Sequence, residues 1–70
     1  MATAATERYL IESEAPTRTR RGRVNLCESQ GDSWVVVERD IAPNDAQRRG
    51  FNLDAPAVQR VFEAAGLATA

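Results

Sequence analysis

The side chains in this chain that could do acid–base or nucleophilic chemistry are carboxylates, one cysteine and one tyrosine. The sequence contains neither histidine nor lysine, so the commonest general base and the amine that forms Schiff bases are both absent. Its carboxylates include two i,i+2 pairs, which share one face along a strand: Glu12 with Glu14, and Glu38 with Asp40. Such pairs could bind a cation or share a proton, but they are more often solvated strand positions. We therefore predict that the protein is not an enzyme, and we assign no catalytic residue.

The sequence also argues against a metal or cofactor site. Cys27 is the only cysteine, so an internal disulfide is impossible, and without histidine a zinc site of mixed Cys and His ligands is impossible too. The four glycines are scattered singly, so there is no Gly-rich phosphate loop. We expect no cofactor and no metal, with Cys27 serving as a small packing residue.

Arginine carries the most suggestive chemistry in the chain. The net charge is −1, which argues against binding nucleic acid by bulk electrostatics alone. All nine basic residues are nevertheless arginine, and four of them fall within six positions that contain no acid: Arg18, Arg20, Arg21 and Arg23. Guanidinium groups pair with phosphate and stack on bases. A GC-rich genome would explain the choice of arginine over lysine, but it would not explain the clustering.

The first two predicted strands bracket this arginine cluster. Glu7 to Glu14 mixes β-formers with charges and predicts the first strand, with a helical turn as the alternative. This segment could lie in the same sheet or swap to a neighbouring molecule. Arg20 to Ser29 alternates, with Val24 and Leu26 on one face, and predicts the second strand. Residues 30–33 are turn formers and predict a hairpin.

The second half of the chain predicts two more strands and a helix. Trp34 to Ile41 is the third strand, residues 42–46 form a loop around Pro43, and Gln47 to Leu53 is the fourth strand. A helix then begins at Ala55 and ends near Ala65, with Asp54 as its N-cap and Gly66 as its left-handed C-terminal residue. Its apolar stripe predicts the face that packs on the core.

Together these elements predict one α+β domain, a four-stranded antiparallel meander followed by one C-terminal helix packed on one face of the sheet. We expect residues 1–6 to be a disordered N-terminal tail, residues 7–67 the domain and residues 68–70 a second tail. No apolar run approaches the about 20 residues that cross a bilayer, and no signal peptide is apparent. We therefore expect a soluble, cytoplasmic protein without a membrane partner.

The face of the sheet that the helix leaves uncovered is the expected place for function. Alternation directs Val24, Leu26, Phe51 and Leu53 toward the helix, with Arg49 on the same side as Phe51. The side chains predicted to point away are Arg21, Arg23, Arg48 and Asn52, joined by either Trp34 or Val35. Arginines beside an aromatic ring on an open sheet suit single-stranded nucleic acid, although charged outward positions are also typical of an ordinary solvated face.

Over residues 18 to 66 the chain resembles the single-stranded-DNA-binding domain of the positive cofactor four family of transcriptional coactivators and its small bacterial and phage relatives. The resemblance rests on the order and spacing of Arg23-Val24-Asn25, Ala42-Pro43-Asn44-Asp45, Arg49-Gly50-Phe51-Asn52-Leu53 and Asp54. It implies a homodimer formed through helices and adjacent strand edges, with unpaired DNA bound along the sheets. Carried over by position, it implies DNA contacts from Arg23, Arg39, Arg48 and Arg49.

The sequence thus favours a small, non-catalytic, transcription-associated protein that binds single-stranded nucleic acid. Its predicted nucleic-acid-binding residues are Arg18, Arg20, Arg21, Arg23, Trp34, Arg39, Arg48 and Arg49. Its predicted homodimer interface is Val58, Val61 and Phe62. The alternative is a phage- or bacterium-encoded interaction module that binds and modulates a host enzyme, which the near-neutral charge and exposed acids favour.

Overall fold

The computed structural model describes residues 2–69 and confirms the predicted fold class. The four strands form one antiparallel sheet in the order β1-β2-β3-β4, and a C-terminal helix packs against it. A short additional helix precedes the C-terminal one. The elements are β1 (Thr3–Ala5), β2 (Tyr9–Glu14), β3 (Arg23–Gln30), β4 (Ser33–Glu38), α1 (Pro43–Arg48) and α2 (Pro56–Ala64).

Three of the predicted strands occur where the sequence placed them, with ends that differ by one to three residues. They are β2, β3 and β4, and the predicted hairpin joins the last two through a two-residue turn closed by the pair Gln30 and Ser33. Gly31 takes a φ of 64° in that turn, the conformation that the first central position of a type II′ turn requires. The first predicted strand lies in the same sheet as the others, between β1 and β3.

The N-terminal segment forms a strand, so the predicted disorder of residues 1–6 is wrong over Thr3–Ala5. Here β1 pairs antiparallel with β2, placing Ala4 opposite Ile11. Ser13 is buried, and its hydroxyl oxygen accepts a hydrogen bond from the Ala2 N–H at 3.0 Å. The outer backbone groups of β2 would otherwise lack partners, and an edge strand of small residues supplies them. Met1 and Ala70, which the predicted tails include, lie outside the described residues.

The fourth predicted strand does not form, because α1 occupies Pro43–Arg48 and residues 49–53 follow it without regular secondary structure. Pro43 is the first residue of α1, where a backbone N–H would have no partner within the helix, so the missing N–H of proline costs nothing. The Asp45 carboxylate accepts a hydrogen bond from the Ala42 N–H at 3.1 Å. The helix ends in a Schellman motif: the Gly50 N–H bonds the Gln47 carbonyl and the Phe51 N–H bonds the Ala46 carbonyl. The fourth strand of the sheet is therefore β1, from the opposite end of the chain.

The C-terminal helix agrees with its prediction except at its first residues. Ala55, and not Asp54, is the N-cap of α2, because the Asp54 N–H turns back to the Asn52 side-chain oxygen at 2.9 Å. Gly66 takes a φ of 76° just after the helix, as predicted. Among residues 2–69, no helix is long and apolar enough to span a membrane.

Both helices pack on the same face of the sheet, where the core lies. From the sheet the core takes Ile11, Val24 and Leu26, and from α1 and the segments beside it Ile41, Ala46 and Phe51. The apolar stripe of α2 completes it, and that stripe contains Val58, Val61 and Phe62. These three residues, predicted to form a homodimer interface, are buried within one chain and are unavailable to a second copy unless the core opens.

Candidate nucleic-acid interface

The face of the sheet opposite the helices, here called the bare face, is not the basic surface that the sequence predicts. Strand register places four rows of side chains on it. They are Glu14 beside Arg23, Glu12 beside Asn25, an apolar row of Leu10, Cys27 and Val36, and Ser29 beside Trp34. The bare face therefore carries two acids and an apolar row, which suit a phosphate backbone poorly.

The arginine cluster is neutralised where it meets this face. The Glu14 carboxylate accepts a hydrogen bond from the Arg23 Nε at 2.8 Å and lies 3.5 Å from the Arg20 guanidinium. The Arg21 guanidinium pairs with Asp40. The buried Asn25 amide links the Glu14 carboxylate to the backbone just after β4, because it donates to Glu14 and accepts the Asp40 backbone N–H at 3.2 Å. Three of the four clustered arginines therefore stabilise the junction of β2, β3 and the end of β4.

The same contacts make the stability of the protein sensitive to acid at Glu14. Hydrogen bonds from Arg23 and then from Asn25 lower the pKa of Glu14 from 4.5 to about 2. A depressed carboxyl pKa stabilises the folded state above pH 4.5, and that stabilisation is lost as the pH falls toward about 2.

We expect the free energy of unfolding to fall across this acid range, and to fall less in a Glu14→Gln variant. Urea unfolding followed by circular dichroism at a series of pH values measures the difference. Glu63→Gln, at an exposed position of α2, is the control that leaves the slope unchanged. An identical acid slope in the wild type and Glu14→Gln would contradict the assignment.

Cys27 behaves as the small packing residue that was predicted. Its side chain is buried between Leu10 and Val36 in the apolar row of the bare face. Burial, and then the charge of Glu12, raise the pKa of the thiol. A thiol with a raised pKa holds little thiolate at neutral pH, so Cys27 is poorly suited to act as a nucleophile.

On the helix side of the sheet, an open cleft of about 610 Å³ gathers three arginines around one aromatic ring. We call it the arginine cleft, and its lining residues are Thr6, Glu7, Arg8, Tyr9, Arg48, Arg49 and Gly50. The guanidinium carbons of Arg8 and Arg49 each lie 5.7 Å from the centroid of the Tyr9 ring, within the range of a cation–π interaction. Three arginines and one acid, Glu7, line the cleft, and the Asp45 carboxylate lies 3.7 Å from the Arg48 guanidinium, so the positive charges outnumber the negative ones.

Two local structures position these side chains. The β1–β2 turn is held by the Thr6 N–H, which bonds the Tyr9 carbonyl at 2.8 Å, and by the Thr6 hydroxyl oxygen, which accepts the Tyr9 N–H at 3.2 Å. The Schellman motif at the end of α1 directs the chain through Gly50, whose φ of 92° reverses it beside that turn. Arg48 and Arg49 precede that glycine, so the end of the helix delivers both to the cleft.

The charges in the cleft remain available. Among residues 2–69, neither Arg8 nor Arg49 forms an ion pair, and the Arg48 guanidinium makes only one long contact, 3.7 Å from Asp45. All three arginines are exposed, and Tyr9 is half-buried. A cleft with uncommitted guanidinium groups beside a partly exposed ring can bind an anion and stack a planar group at the same time.

The structure thus divides the residues predicted to bind nucleic acid into three groups. Arg48 and Arg49, which the strand prediction separated onto opposite faces, lie together in the arginine cleft. The second group is committed to intramolecular ion pairs and contains Arg20, Arg21 and Arg23. The third is exposed elsewhere and contains Arg18, Arg39 and Trp34, the last on the bare face opposite Ser29.

Sequence reasoning missed Arg8 and Tyr9 as site residues. The Arg-Tyr pair stands at the start of the first predicted strand, where one arginine beside one ring carries no spacing signal. The Arg48-Arg49 pair was visible, but its partner lies about forty positions earlier in the chain. Only the packing of α1 beside the β1–β2 turn brings the two pairs together.

Comparison with known proteins finds no match. No protein-family model, no curated protein and no solved structure matches this chain. The resemblance to the positive cofactor four family stays a prediction, and the function has to be inferred from the geometry of the site.

Proposed function

We propose that this protein is a small non-catalytic module that binds single-stranded nucleic acid at the arginine cleft. The observation that supports the proposal is the convergence of Arg8, Arg48 and Arg49 on Tyr9. Guanidinium groups neutralise phosphates, and an aromatic ring stacks on any base without regard to sequence. A single strand leaves its bases free to stack, whereas a duplex does not.

The volume of the cleft limits the length of nucleic acid that it can contact. A volume of about 610 Å³ is typical of sites for single small ligands, so the cleft contacts a short stretch of nucleic acid. Trp34 does not contribute to that footprint, because its side chain lies on the bare face and Tyr9 lies on the helix side. Because the positive charge that binds the ligand is confined to the cleft, binding is compatible with a net charge of −1 for the whole chain.

Salt dependence provides the first test. Single-stranded nucleic acid loses affinity with a slope of about −0.7 per neutralised phosphate in a plot of log K against log salt. Three arginines therefore predict a slope of about −2. Titration of a labelled single-stranded oligonucleotide at several salt concentrations measures it. Affinity no better than millimolar, or affinity that does not change with salt, would contradict the proposal.

A matched pair of variants localises the interaction. We expect Arg8→Gln with Arg49→Gln to weaken oligonucleotide binding by about tenfold or more, because hydrogen bonds to charged groups contribute roughly 1.5–3 kcal/mol each. The control is Arg18→Gln with Arg60→Gln, which changes the net charge equally at exposed positions outside the cleft. Equal loss of affinity in both double variants would show that overall charge, and not the cleft, holds the ligand.

The resemblance to the positive cofactor four family supports the choice of single-stranded DNA and a role in transcription. Both features remain part of the proposal. The family's mode of binding, along the sheet, is replaced here by the cleft, because Arg23 is engaged with Glu14 and the bare face is acidic and apolar. The proposal includes a cytoplasmic location, where the protein would encounter single-stranded nucleic acid.

A protein-interaction module is the second candidate function, and the bare face is the observation that favours it. Its acids repel nucleic acid, and the half-buried Leu10 and Val36 with the exposed Trp34 offer apolar contact area to a host protein. Glu12→Arg reverses a charge at the centre of that face and is expected to abolish stoichiometric recovery of a host protein. Recovery of nucleic acid alone, without such a protein, would exclude this candidate.

A further inference from the structure

The arginine cleft gathers its positive charge at one point. The guanidinium carbons of Arg8 and Arg49 each lie 5.7 Å from the centroid of the Tyr9 ring, and two short segments, residues 6–9 and 48–50, line the cleft. Proteins that bind single strands along their length combine stacking rings with a positively charged groove that follows the backbone. A compact cluster of charge beside a single ring suits one phosphate and one base better than a run of them.

Acidic residues border the cleft on both of the elements that form it. On the side of the sheet, Glu7 lies in the lining, and Glu28 of β3 pairs in register with Tyr9. On the side of α1, the Asp45 carboxylate lies 3.7 Å from the Arg48 guanidinium. The phosphates of a strand that ran through the cleft would approach these carboxylates on entering and on leaving, and like charges repel. A strand that ends in the cleft leaves in one direction only, so it approaches fewer of them.

A phosphate at the end of a strand also matches the donors of the cleft better than a phosphate within the strand. A phosphodiester carries a single negative charge and two free oxygens, whereas a phosphomonoester carries about −1.5 to −2 charges at pH 7 and three free oxygens. Guanidinium groups favour bidentate contacts with pairs of oxygens. Three oxygens allow Arg8 and Arg49, which form no ion pair among residues 2–69, to bind the same phosphate in this way. Arg48 is then left for the adjacent phosphodiester.

The Tyr9 ring favours the end of a strand for a second reason. A base within a strand can stack on a neighbour on each side, whereas the last base has one face free, and proteins often recognise such unstacked bases at strand ends. Tyr9 is half-buried and offers only part of its ring to a ligand. The terminal base can use that part without leaving its neighbour in the strand.

We propose that the arginine cleft binds a terminal phosphomonoester together with its base, in preference to the phosphodiesters within a strand. This inference rests on the proposed function and names the part of the nucleic acid that the cleft binds, the end of a single strand. A free mononucleotide presents the same phosphate and base, and the cleft of about 610 Å³ has the size of a site for one small ligand. The experiment therefore has to distinguish these two sources.

Calorimetric titration of short oligothymidylates compares the strand ends. Three strands of equal length carry a 5′-phosphate, a 3′-phosphate or hydroxyl groups at both ends. We expect at least one phosphorylated strand to bind about tenfold more tightly than the hydroxyl strand, the effect of one further hydrogen bond to a charged group. Arg8→Gln with Arg49→Gln is expected to remove that difference. The control, Arg18→Gln with Arg60→Gln outside the cleft, is expected to keep it.

The pH dependence of binding identifies the phosphomonoester without any variant. Its second pKa is about 6, so it loses a charge as the pH falls through that value, whereas a phosphodiester keeps its charge. The chain contains no histidine, the side chain whose ordinary pKa lies in this range. We therefore expect the advantage of the phosphorylated strand to shrink as the pH falls from about 7 to about 5.5. The affinity of the hydroxyl strand should stay nearly constant.

The possible outcomes separate this inference from the proposed function. Equal binding of all three strands would overturn the inference and leave the proposed function standing, as would an advantage of the phosphorylated strand that does not change with pH. Thymidine monophosphate is the competitor that distinguishes the sources. If it competes as well as the phosphorylated strand, the phosphomonoester remains the ligand, but the strand and with it the proposed function are refuted. If neither a strand nor the mononucleotide binds, both proposals fail.

Discussion

Replacing Phe62 with alanine is expected to leave a large fraction of the protein unfolded at physiological temperature. Phe62 is fully buried at the centre of the α2 stripe, against the sheet. Truncating a buried phenylalanine costs about 3–5 kcal/mol, because contacts are lost and a cavity remains. A native domain holds only about 0.05–0.15 kcal/mol per residue, so a chain of 70 residues has about 3.5–10 kcal/mol in total, and this loss removes from about a third to all of it. Urea unfolding followed by circular dichroism measures the change.

A matched control on the same helix isolates the effect of burial. Arg60 is exposed on α2, and Arg60→Ala is expected to change the free energy of unfolding by less than about 0.5 kcal/mol. The Phe62→Ala variant also tests whether Phe62 lies in the core of one chain or in an interface between two chains. If Phe62→Ala kept its stability and only dissociated a dimer, Phe62 would lie in an interface, and its assignment to the core would be wrong.

Gly22→Ala is expected to cost about 3 kcal/mol, at the upper end of the range for inserting one group into a packed site. Gly22 is buried within the arginine cluster, just before β3, against the end of α2. A Cβ at this position would lie 2.0 Å from the Ala65 carbonyl oxygen and 2.7 Å from its carbon. Both are backbone atoms held by the helix, so the loop has to move away. Thermal and urea unfolding measure the loss.

Gly31→Ala is the control for that prediction. Gly31 has a positive φ of 64°, but a Cβ there would meet no atom within 4 Å. Its substitution therefore carries only the strain of a left-handed residue, about 1–2 kcal/mol. We expect Gly22→Ala to be clearly the more destabilising of the two. Equal losses would mean that α2 does not press against the loop as the structure shows.

Local sequence patterns predicted the middle and the end of the chain well. Alternation identified β3 and β4, and the turn residues between them identified their hairpin. The helical spacing of Val58, Val61 and Phe62 identified α2 and its buried face. The edge strand β1 was not predicted, because Thr3–Ala5 consists of small residues whose strand exists only as a partner for β2.

One motif shows the limit of local reasoning, because it was interpreted in two ways. Ala65-Gly66-Leu67 was predicted to end a helix, and it does so in a Schellman motif. Arg49-Gly50-Phe51 was predicted to lie in a strand, yet it ends α1 with the same pair of hydrogen bonds. The first has a long apolar stripe before it. The second follows only six helical residues, too few to show a period.

The candidate site was likewise predicted only in part from the sequence. Composition and spacing singled out arginine, and they found the Arg48-Arg49 pair. They did not show that the cluster from Arg20 to Arg23 meets Glu14 and Asp40, because those carboxylates come from β2 and from beyond β4. An ion pair across strands depends on register, and register is a property of the assembled sheet.

By itself, the amino-acid sequence determined the fold class, the hairpin, the terminal helix and the restriction of basic chemistry to guanidinium groups. These features follow from interactions within a few residues, such as side-chain alternation, turn conformation and helix capping. Tertiary structure alone decided which arginines are neutralised and which converge on Tyr9. It also decided that β4, and not α2, presents large apolar side chains to solvent. Those outcomes depend on contacts between segments that are distant in the sequence, and local sequence patterns do not predict such contacts.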